Sequence, residues 1–203
     1  MSALAITPNR NLRAGPRQNT LSFATQPTIR TNRLTLRALK PEDQYRLATG
    51  MQTPEVVRML LPVPVPYNHE DGLDFVRAWQ GGEIDGWAYA ITLDGGALEG
   101  VISIEHRETG KRPGWHIGYW LLPTHWGKGY MSEAASALIE RFFSIMMGET
   151  LYAGVITDNP ASLKVQEKLG FSVTGTTWAF CNPRGTMVDV VETELTFGSF
   201  MPA

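Results

Sequence analysis

A glycine-flanked lysine lies directly before the longest helical pattern in the chain. Gly127 and Gly129 enclose Lys128, and the residues from Tyr130 onward carry the periodic apolar stripe of an amphipathic helix. Glycines let the backbone approach a ligand closely, and the unpaired amides at a helix start attract negative charge. The spacing therefore predicts an anion-binding loop, although a simple turn would use the same glycines.

Two common nucleotide-binding motifs do not fit this loop. A mononucleotide P-loop would place Ser or Thr after Lys128 as a magnesium ligand, whereas Gly129 stands there. A dinucleotide fingerprint needs a third glycine and an acidic residue placed for the ribose, and the sequence lacks both. A generic ATP-binding or NAD-binding function is therefore disfavoured.

A second polar segment opens the next helical pattern, where Asn159 and Pro160 precede Ser162. Asn159 suits the N-cap position and Pro160 the first helical position, so helix capping by itself explains both residues. Ser162 is left over, because its hydroxyl at the third helical position is free to point toward a ligand. The serine is the residue of this segment that is available for chemistry.

The elements that position these residues alternate between strand and helix patterns. Apolar alternation predicts strands near 33–39, 86–93, 98–105, 115–122, 151–157, 171–180 and 187–196. Apolar spacing and helix-start residues predict helices from Pro41 and from Pro54, and over 69–80, 130–146 and 160–169. This order predicts an α+β fold, with a mixed, mainly antiparallel central sheet of about seven strands flanked by helices.

Charge and hydropathy limit the class of partner. The chain has a formal net charge of −2, but residues 1–40 hold seven basic side chains and no acidic one, which leaves −9 on the rest. An acidic body disfavours nucleic acid as a ligand and gives a mild preference for cationic substrates such as amines. No apolar run is long enough to cross a bilayer, so we expect no membrane partner.

Cysteine usage and length indicate one cytoplasmic domain. Cys181 is the only cysteine, which excludes an internal disulfide and fits a reducing compartment. A nucleophilic role for this thiol would need a base partner that the sequence does not indicate. We expect residues 1–29 to form a tail or arm, 30–197 a single domain and 198–203 a C-terminal tail, with the oligomeric state open and a homodimer included.

Four linked motifs together resemble the GNAT superfamily of acyl-CoA N-acyltransferases. In chain order they are RLTLR at 33–37, GYWL at 118–121, WGKGYMSEA at 126–134, and NPAS at 159–162 leading to KLGF at 168–171. Within the superfamily, the sequence is similar to the branch that resembles the acetyltransferases of ribosomal-protein N-termini. The resemblance spans 30–197 and implies an acetyl-CoA-dependent N-acetyltransferase.

The resemblance also implies how acetyl-CoA, the expected co-substrate, is bound. Two neighbouring central strands would splay apart, and the pantetheine arm would lie between them like an extra strand. Strand backbone, glycine-loop amides and the next helix start would supply the contacts, from Trp120, Leu121, Leu122, Gly127, Lys128, Gly129, Tyr130, Met131, Asn159 and Ser162. No metal is implied.

The catalytic roles follow from the same resemblance. Ser162 would protonate the departing thiolate, and a backbone amide near Leu121 would stabilise the oxyanion. His116 stands where this branch often has Glu and is our first candidate base, since its ordinary pKa is near ~6.5, with Glu105 as the second candidate. Thr124 replaces the usual Gln or Arg of the loop. These departures leave open a catalytically impaired coenzyme A-binding module.

The expected acceptor is a primary amine, either a protein N-terminal α-amine or a small-molecule amine, attacked directly in a ternary complex. The sequence defines the acceptor pocket less clearly than the coenzyme site. Trp87, Tyr89, Trp178 and Phe180 could line an aromatic pocket beneath the proline-rich segment 62–67. Strand aromatics more often pack in the core, and that alternative stays open.

Overall fold

The computed structural model describes residues 26–203 and the backbone of Ser2–Ala3. Within these residues one sheet contains nine strands: β1 (Ser2–Ala3), β2 (Ile29–Arg30), β3 (Thr35–Ala38), β4 (Gly86–Thr92), β5 (Gly100–Arg107), β6 (Gly114–Leu121), β7 (Leu151–Ile156), β8 (Ser172–Cys181) and β9 (Thr186–Leu195). The helices are α1 (Gln44–Gln52), α2 (Pro54–Val57), α3 (His69–Gln80), α4 (Tyr130–Ile145) and α5 (Pro160–Lys168).

The strands follow the order β2-β3-β4-β5-β6-β7-β9-β8, and β1 pairs with β6 beside this path. Every pairing is antiparallel except that of β6 with β7. The predicted α+β class with a mixed, mainly antiparallel sheet is confirmed. The strand count exceeds the expected seven because β1 and β2 have two residues each, too few for an alternating pattern.

Helix starts follow the local signals in the sequence. Gly129 precedes α4 with a φ of 77°, a left-handed conformation that favours glycine. Asn159 caps α5, where its side chain accepts a hydrogen bond of 3.2 Å from the Ser162 amide, and Pro160 occupies the first turn. The predicted capping roles of Asn159 and Pro160 are confirmed.

The two faces of the sheet are covered by different helices. On one face, α4 and α5 bury a core that includes Ile117, Tyr119 and Leu121 of β6. On the other face, α1, α2 and α3 pack against β4, β5 and Trp120 of β6. Because successive strand residues point to opposite faces, His116 lies on the face of Trp120, and Ser162 of α5 lies on the face of Tyr119.

The parallel strands β6 and β7 separate soon after they meet. They pair only at Trp115↔Leu151 and His116↔Tyr152, although both strands continue beyond these residues. From there β7 keeps its pairing with β9 along its whole length. The sheet therefore contains a V-shaped gap between β6 and β7, with its apex at His116 and Tyr152.

The ends of the chain bear on the expected domain limits. Of the predicted tail, residue 1 and residues 4–25 lie outside the described residues, and Ile29–Arg30 pairs with β3. At the other end, the Met201 amide donates to the Leu169 carbonyl at 3.1 Å, and the Ala203 amide donates to Ser136 Oγ at 2.9 Å. The domain boundaries themselves stay a prediction.

Two further observations concern membranes and metals. None of the helices that the structure describes combines the length and the hydrophobicity needed to cross a membrane. In the same part of the chain, no group of three or more His, Cys, Asp or Glu side chains could hold a metal ion.

Candidate active site

The edge of β6 that faces the gap offers strand-like hydrogen-bonding positions that β7 does not use. The Leu122 amide donates to the Glu99 carbonyl at 2.9 Å, on the β5 side. Because backbone amides alternate in direction along a strand, those of Tyr119 and Leu121 point to the opposite side, into the gap. There β1 runs antiparallel to β6, with Ser2 beside Trp120 and Ala3 beside Tyr119. The gap therefore accommodates an extended chain against β6.

The glycine loop lies at the open end of this gap. Gly127 and Gly129 have φ values of 74° and 77°, so both adopt the left-handed region, and both are exposed. No heavy atom lies within 4 Å of the position that a Cβ on Gly127 would occupy. The first amides of α4 have no earlier helical turn to pair with. This loop can receive an anion such as a pyrophosphate.

Arg33 braces the glycine loop from the far end of the sequence. Its Nη1 donates to the Lys128 carbonyl at 2.8 Å, and its Nε lies 2.6 Å from the Glu133 carboxylate on α4. The guanidinium also stacks over the Tyr130 ring at 4.7 Å. Sequence reasoning placed Arg33 in a family motif and assigned it no role, because 95 residues separate it from Lys128.

Two hydroxyl groups meet beneath the gap on the α4 and α5 face. Tyr119 Oη and Ser162 Oγ lie 3.1 Å apart, and both side chains are fully buried. Burial raises the pKa of Tyr119 to about 12, so its phenol stays protonated at neutral pH. The structure thus joins the predicted acid Ser162 to Tyr119, to which the sequence motif assigned no role.

His116 occupies the apex of the gap, but both of its ring nitrogens have partners. Nε2 lies 2.8 Å from the Arg112 carbonyl, which can only accept, so Nε2 carries the proton. Nδ1 lies 3.4 Å from Nη1 of Arg107. Burial, and after it the positive charge of Arg107, lower the pKa of His116 to about 4. This geometry does not favour His116 as a base.

Glu105, the second candidate base, pairs with His116 across β5 and β6. Its carboxylate accepts a hydrogen bond of 2.7 Å from Nε of Arg107. Burial raises the pKa of Glu105, while Arg107 opposes that shift. The carboxylate is therefore held by a guanidinium on β5.

A cavity of about 100 Å³ opens beside His116 on the face of α1, α2 and α3. Small and apolar residues form part of its wall, and its polar lining comes from Arg107, Arg112, His116, Tyr152, Thr177 and Glu192. Glu105 is absent from the lining. Apart from His116, sequence reasoning missed these residues, because four strands and a turn must assemble before they meet.

The four aromatic residues expected to line one pocket are divided by the sheet. Trp87 stacks on Trp115 at 5.9 Å inside the core, and Tyr89 is fully buried. Trp178 and Phe180 point outward from β8, with 67% and 55% of their surfaces exposed. The prediction of an aromatic acceptor pocket is therefore wrong. The proline-rich segment instead lines a cavity of about 290 Å³ with Met51, Gln52, Val57 and Pro183.

Comparison with known proteins identifies the family. The family model described as the acetyltransferase (GNAT) domain matches residues 33–172, more than half of the chain. The chain belongs to the GNAT acetyltransferase family. It is accordingly an acetyl-CoA-dependent N-acetyltransferase, and the resemblance carried by the four sequence motifs is confirmed.

This GNAT acetyltransferase has relatives of similar length in bacilli. It is 28% identical over 168 residues to the uncharacterized N-acetyltransferase p20 of Bacillus licheniformis, covering 80% of this chain and 92% of the relative. It is also 28% identical over 166 residues to the uncharacterized N-acetyltransferase YoaA of Bacillus subtilis (strain 168), covering 80% and 93%.

Solved structures share the fold at lower identity. The ribosomal-protein-S5-alanine acetyltransferase from Vibrio fischeri matches with a TM-score of 0.70 and 18% identity, over 87% of this chain and all of that one. The microcin C7 self-immunity acetyltransferase MccE, solved in complex with acetyl-CoA and AMP, matches with a TM-score of 0.68 and 19% identity, over 82% and 93%. At these identities the likeness concerns the fold.

Proposed function

We propose that this acetyltransferase moves the acetyl group of acetyl-CoA to a primary amine by direct attack in a ternary complex. The observation that carries the proposal is the gap between β6 and β7, which continues at its open end into the glycine loop. Acetyl-CoA supplies the thioester, whose carbonyl carbon the amine attacks. The acceptor is either a protein N-terminal α-amine or a small-molecule amine.

The residues of the gap fit the coenzyme. The amides of Tyr119 and Leu121 face the space between the strands, and β1 already pairs there in extended form. At the loop, the conformations of Gly127 and Gly129 leave the first amides of α4 open to a pyrophosphate. Lys128 adds a positive charge nearby, which can offset the altered Thr124 position.

The two faces of the sheet divide the chemistry. Ser162 lies on the α5 face, where its hydroxyl protonates the leaving thiolate and is itself hydrogen-bonded to Tyr119. The Leu121 amide in the gap stabilises the oxyanion. The acceptor approaches from the cavity on the opposite face, so that its nitrogen attacks one face of the planar thioester carbonyl while Ser162 lies on the other side of the sheet.

Neither of the two candidate bases is placed to take the proton of the amine. His116 has its lone pair toward Arg107 and a pKa of about 4, so it remains neutral and orders the cavity wall. Glu105 is separated from the cavity by Arg107, which it binds at 2.7 Å. Of the two sequence candidates, His116 thus lies in the cavity wall and Glu105 lies behind Arg107.

The test is turnover of acetyl-CoA, followed by thiol release, across N-terminal peptides, amino acids, polyamines and aminoglycosides. Amine-dependent release is the expected result, and it should fall in Ser162→Ala but not in Ser144→Ala, a control on the exposed surface of α4. Coenzyme binding without release for any amine would replace this proposal by the impaired coenzyme A-binding module. Absence of coenzyme binding would refute both.

A further inference from the structure

The cavity beside His116 has opposite charges at its two ends. Arg107 and Arg112 border the turn between β5 and β6, where the paired strands β6 and β7 begin. Glu192 lies on β9 opposite Gly154, two residues further along β7 than Tyr152 at the apex. The guanidinium groups are therefore at the closed end of the V, and the carboxylate is nearer its open end.

Arg112 has hydrogen-bonding capacity to spare. Its Nη1 is buried and has no hydrogen-bond partner within the described part of the chain. The nearest carboxylate, on Glu194, is 3.9 Å from Nη2, beyond hydrogen-bonding distance. Its guanidinium is held in place by stacking at 4.8 Å over the Tyr152 ring. A buried guanidinium donor without a partner is costly, and an anionic group on a ligand would satisfy it.

Arg107 already has side-chain partners, whereas the Glu192 carboxylate has no cationic partner in the described residues. Arg107 binds Glu105 at 2.7 Å and faces Nδ1 of His116 at 3.4 Å. Among residues 26–203, no lysine, arginine or histidine forms a salt bridge with Glu192. Apart from the long ion pair of 3.9 Å with Glu194, the cavity thus presents a buried donor of Arg112 without a hydrogen-bond partner. It also presents the Glu192 carboxylate, which has no cationic partner among the described residues.

We propose that the acceptor is a small zwitterion, an α-amino acid or a close analogue, whose ammonium group binds Glu192 and whose carboxylate binds Arg112. This inference rests on the proposed function and specifies its acceptor class. A volume of about 100 Å³ suits the charged head of such a molecule and is smaller than the usual pocket for a large ligand. A polyamine would bring a second cation toward Arg112, which repels it.

The proton balance assigns a further role to Glu192. Its carboxylate accepts one proton from the bound ammonium and releases it to solvent. The neutral nitrogen then forms a bond to the thioester carbonyl carbon, and the carbon–sulfur bond breaks. The departing sulfur takes a proton through Ser162, and the nitrogen loses its second proton, which restores that of Ser162 by way of solvent. The products are an N-acetyl amino acid, free thiol and one proton.

The experiment compares three acceptors that differ only at the carboxyl group: leucine, leucinamide and 3-methylbutylamine. Thiol release from acetyl-CoA should give a kcat/KM for leucine at least tenfold above that for either analogue. Arg112→Met should raise the KM for leucine about tenfold, with kcat and the leucinamide rate little changed. Arg112→Lys should restore part of the preference. Arg77→Met, on the exposed surface of α3, should change nothing.

Glu192→Gln tests the other wall of the cavity. It should lower kcat for leucine about tenfold or more and move the rising limb of the kcat pH profile upward, because the bound ammonium must then lose its proton to water without Glu192 as the acceptor. Thermal melting of each variant checks that the fold is kept.

The outcomes separate the two proposals. Equal or better use of leucinamide, or a leucine preference that survives Arg112→Met, overturns the zwitterion and leaves the transferase intact. If no amine releases thiol although acetyl-CoA binds, the proposed function fails. Calorimetric titration of leucine and leucinamide into the protein with coenzyme A then decides the acceptor class. Equal affinity for the two compounds would overturn the zwitterion proposal.

Discussion

Tyr119 Oη and Ser162 Oγ lie 3.1 Å apart, one on the central strand β6 and the other in the first turn of α5. The same tyrosine contributes its backbone to the edge of the gap between β6 and β7. Because Asn159 fixes the start of α5 through the Ser162 amide, the serine hydroxyl has a defined position relative to β6. This pair links the strand that would bind the coenzyme to the group that would protonate its sulfur.

Removing either hydroxyl should slow the chemical step. We expect Ser162→Ala to lower kcat by about 100-fold, within the range of a general acid, and Tyr119→Phe by about tenfold, since it acts through Ser162. The KM for acetyl-CoA should change little in both. Thiol-release kinetics measures these effects, and the double variant should resemble Ser162→Ala alone. If the kcat losses of the two single variants add in the double variant, Tyr119 does not act through Ser162.

An added methyl group at Gly129 should weaken coenzyme binding. Its φ of 77° is strained for alanine, so Gly129→Ala should destabilise the fold by roughly 1 kcal/mol. The amides of α4 would also shift, and we expect the KM for acetyl-CoA to rise roughly fivefold, the equivalent of about 1 kcal/mol.

The matched control for this substitution is Gly82→Ala. Gly82 has a φ of 72° and open space around its Cβ position, but lies after α3. It should lose comparable stability in urea unfolding with no change in KM. If Gly129→Ala and Gly82→Ala have the same KM for acetyl-CoA, the glycine loop does not bind the coenzyme.

His116 should make the fold sensitive to acid. Its folded pKa of about 4 lies below the ordinary 6.5, mainly through burial, so the unfolded chain binds the proton first as pH falls. Stability tied to neutral His116 is fully present above pH 6.5 and is lost toward pH 4. Between pH 7 and 5 this loss amounts to about 2 kcal/mol.

Urea unfolding of wild type and His116→Gln at pH 7 and pH 5 isolates this contribution, because all other groups titrate in both proteins. Between pH 7 and pH 5, the free energy of unfolding of the wild type should fall by more than that of His116→Gln. A parallel pH dependence in the two proteins would mean that His116 titrates normally. That result would also reopen its role as a base.

Ser2–Ala3 should compete with acetyl-CoA. These residues pair with Trp120 and Tyr119, the positions that the pantetheine arm would use. Deletion of residues 1–3 should therefore lower the Kd for coenzyme A, by about tenfold if β1 occupies the gap nine-tenths of the time. Isothermal titration of the full chain and the deletion variant measures this, and an unchanged Kd would exclude competition.

Local signals explain why most of the fold could be predicted. The apolar stripe of α4, the alternation along β4 to β6 and the caps at Gly129 and Asn159 act over a few residues, so they are visible in the sequence. The pairings of β1 and β2 could not be predicted, since two residues carry no period. The sequence also could not predict which aromatic side chains are buried and which are exposed, because that depends on which face of each strand meets a helix.

By itself the sequence determined the family, the glycine loop and the candidate acid Ser162, because their motifs are contiguous. Only the tertiary structure decided the partners of these residues. Arg33 reaches Lys128 across 95 residues, and Arg112 and Glu192 meet in one cavity from a turn and a distant strand. The pKa of His116 was likewise set by burial and by Arg107. Such properties depend on distances that exist only once the sheet has assembled.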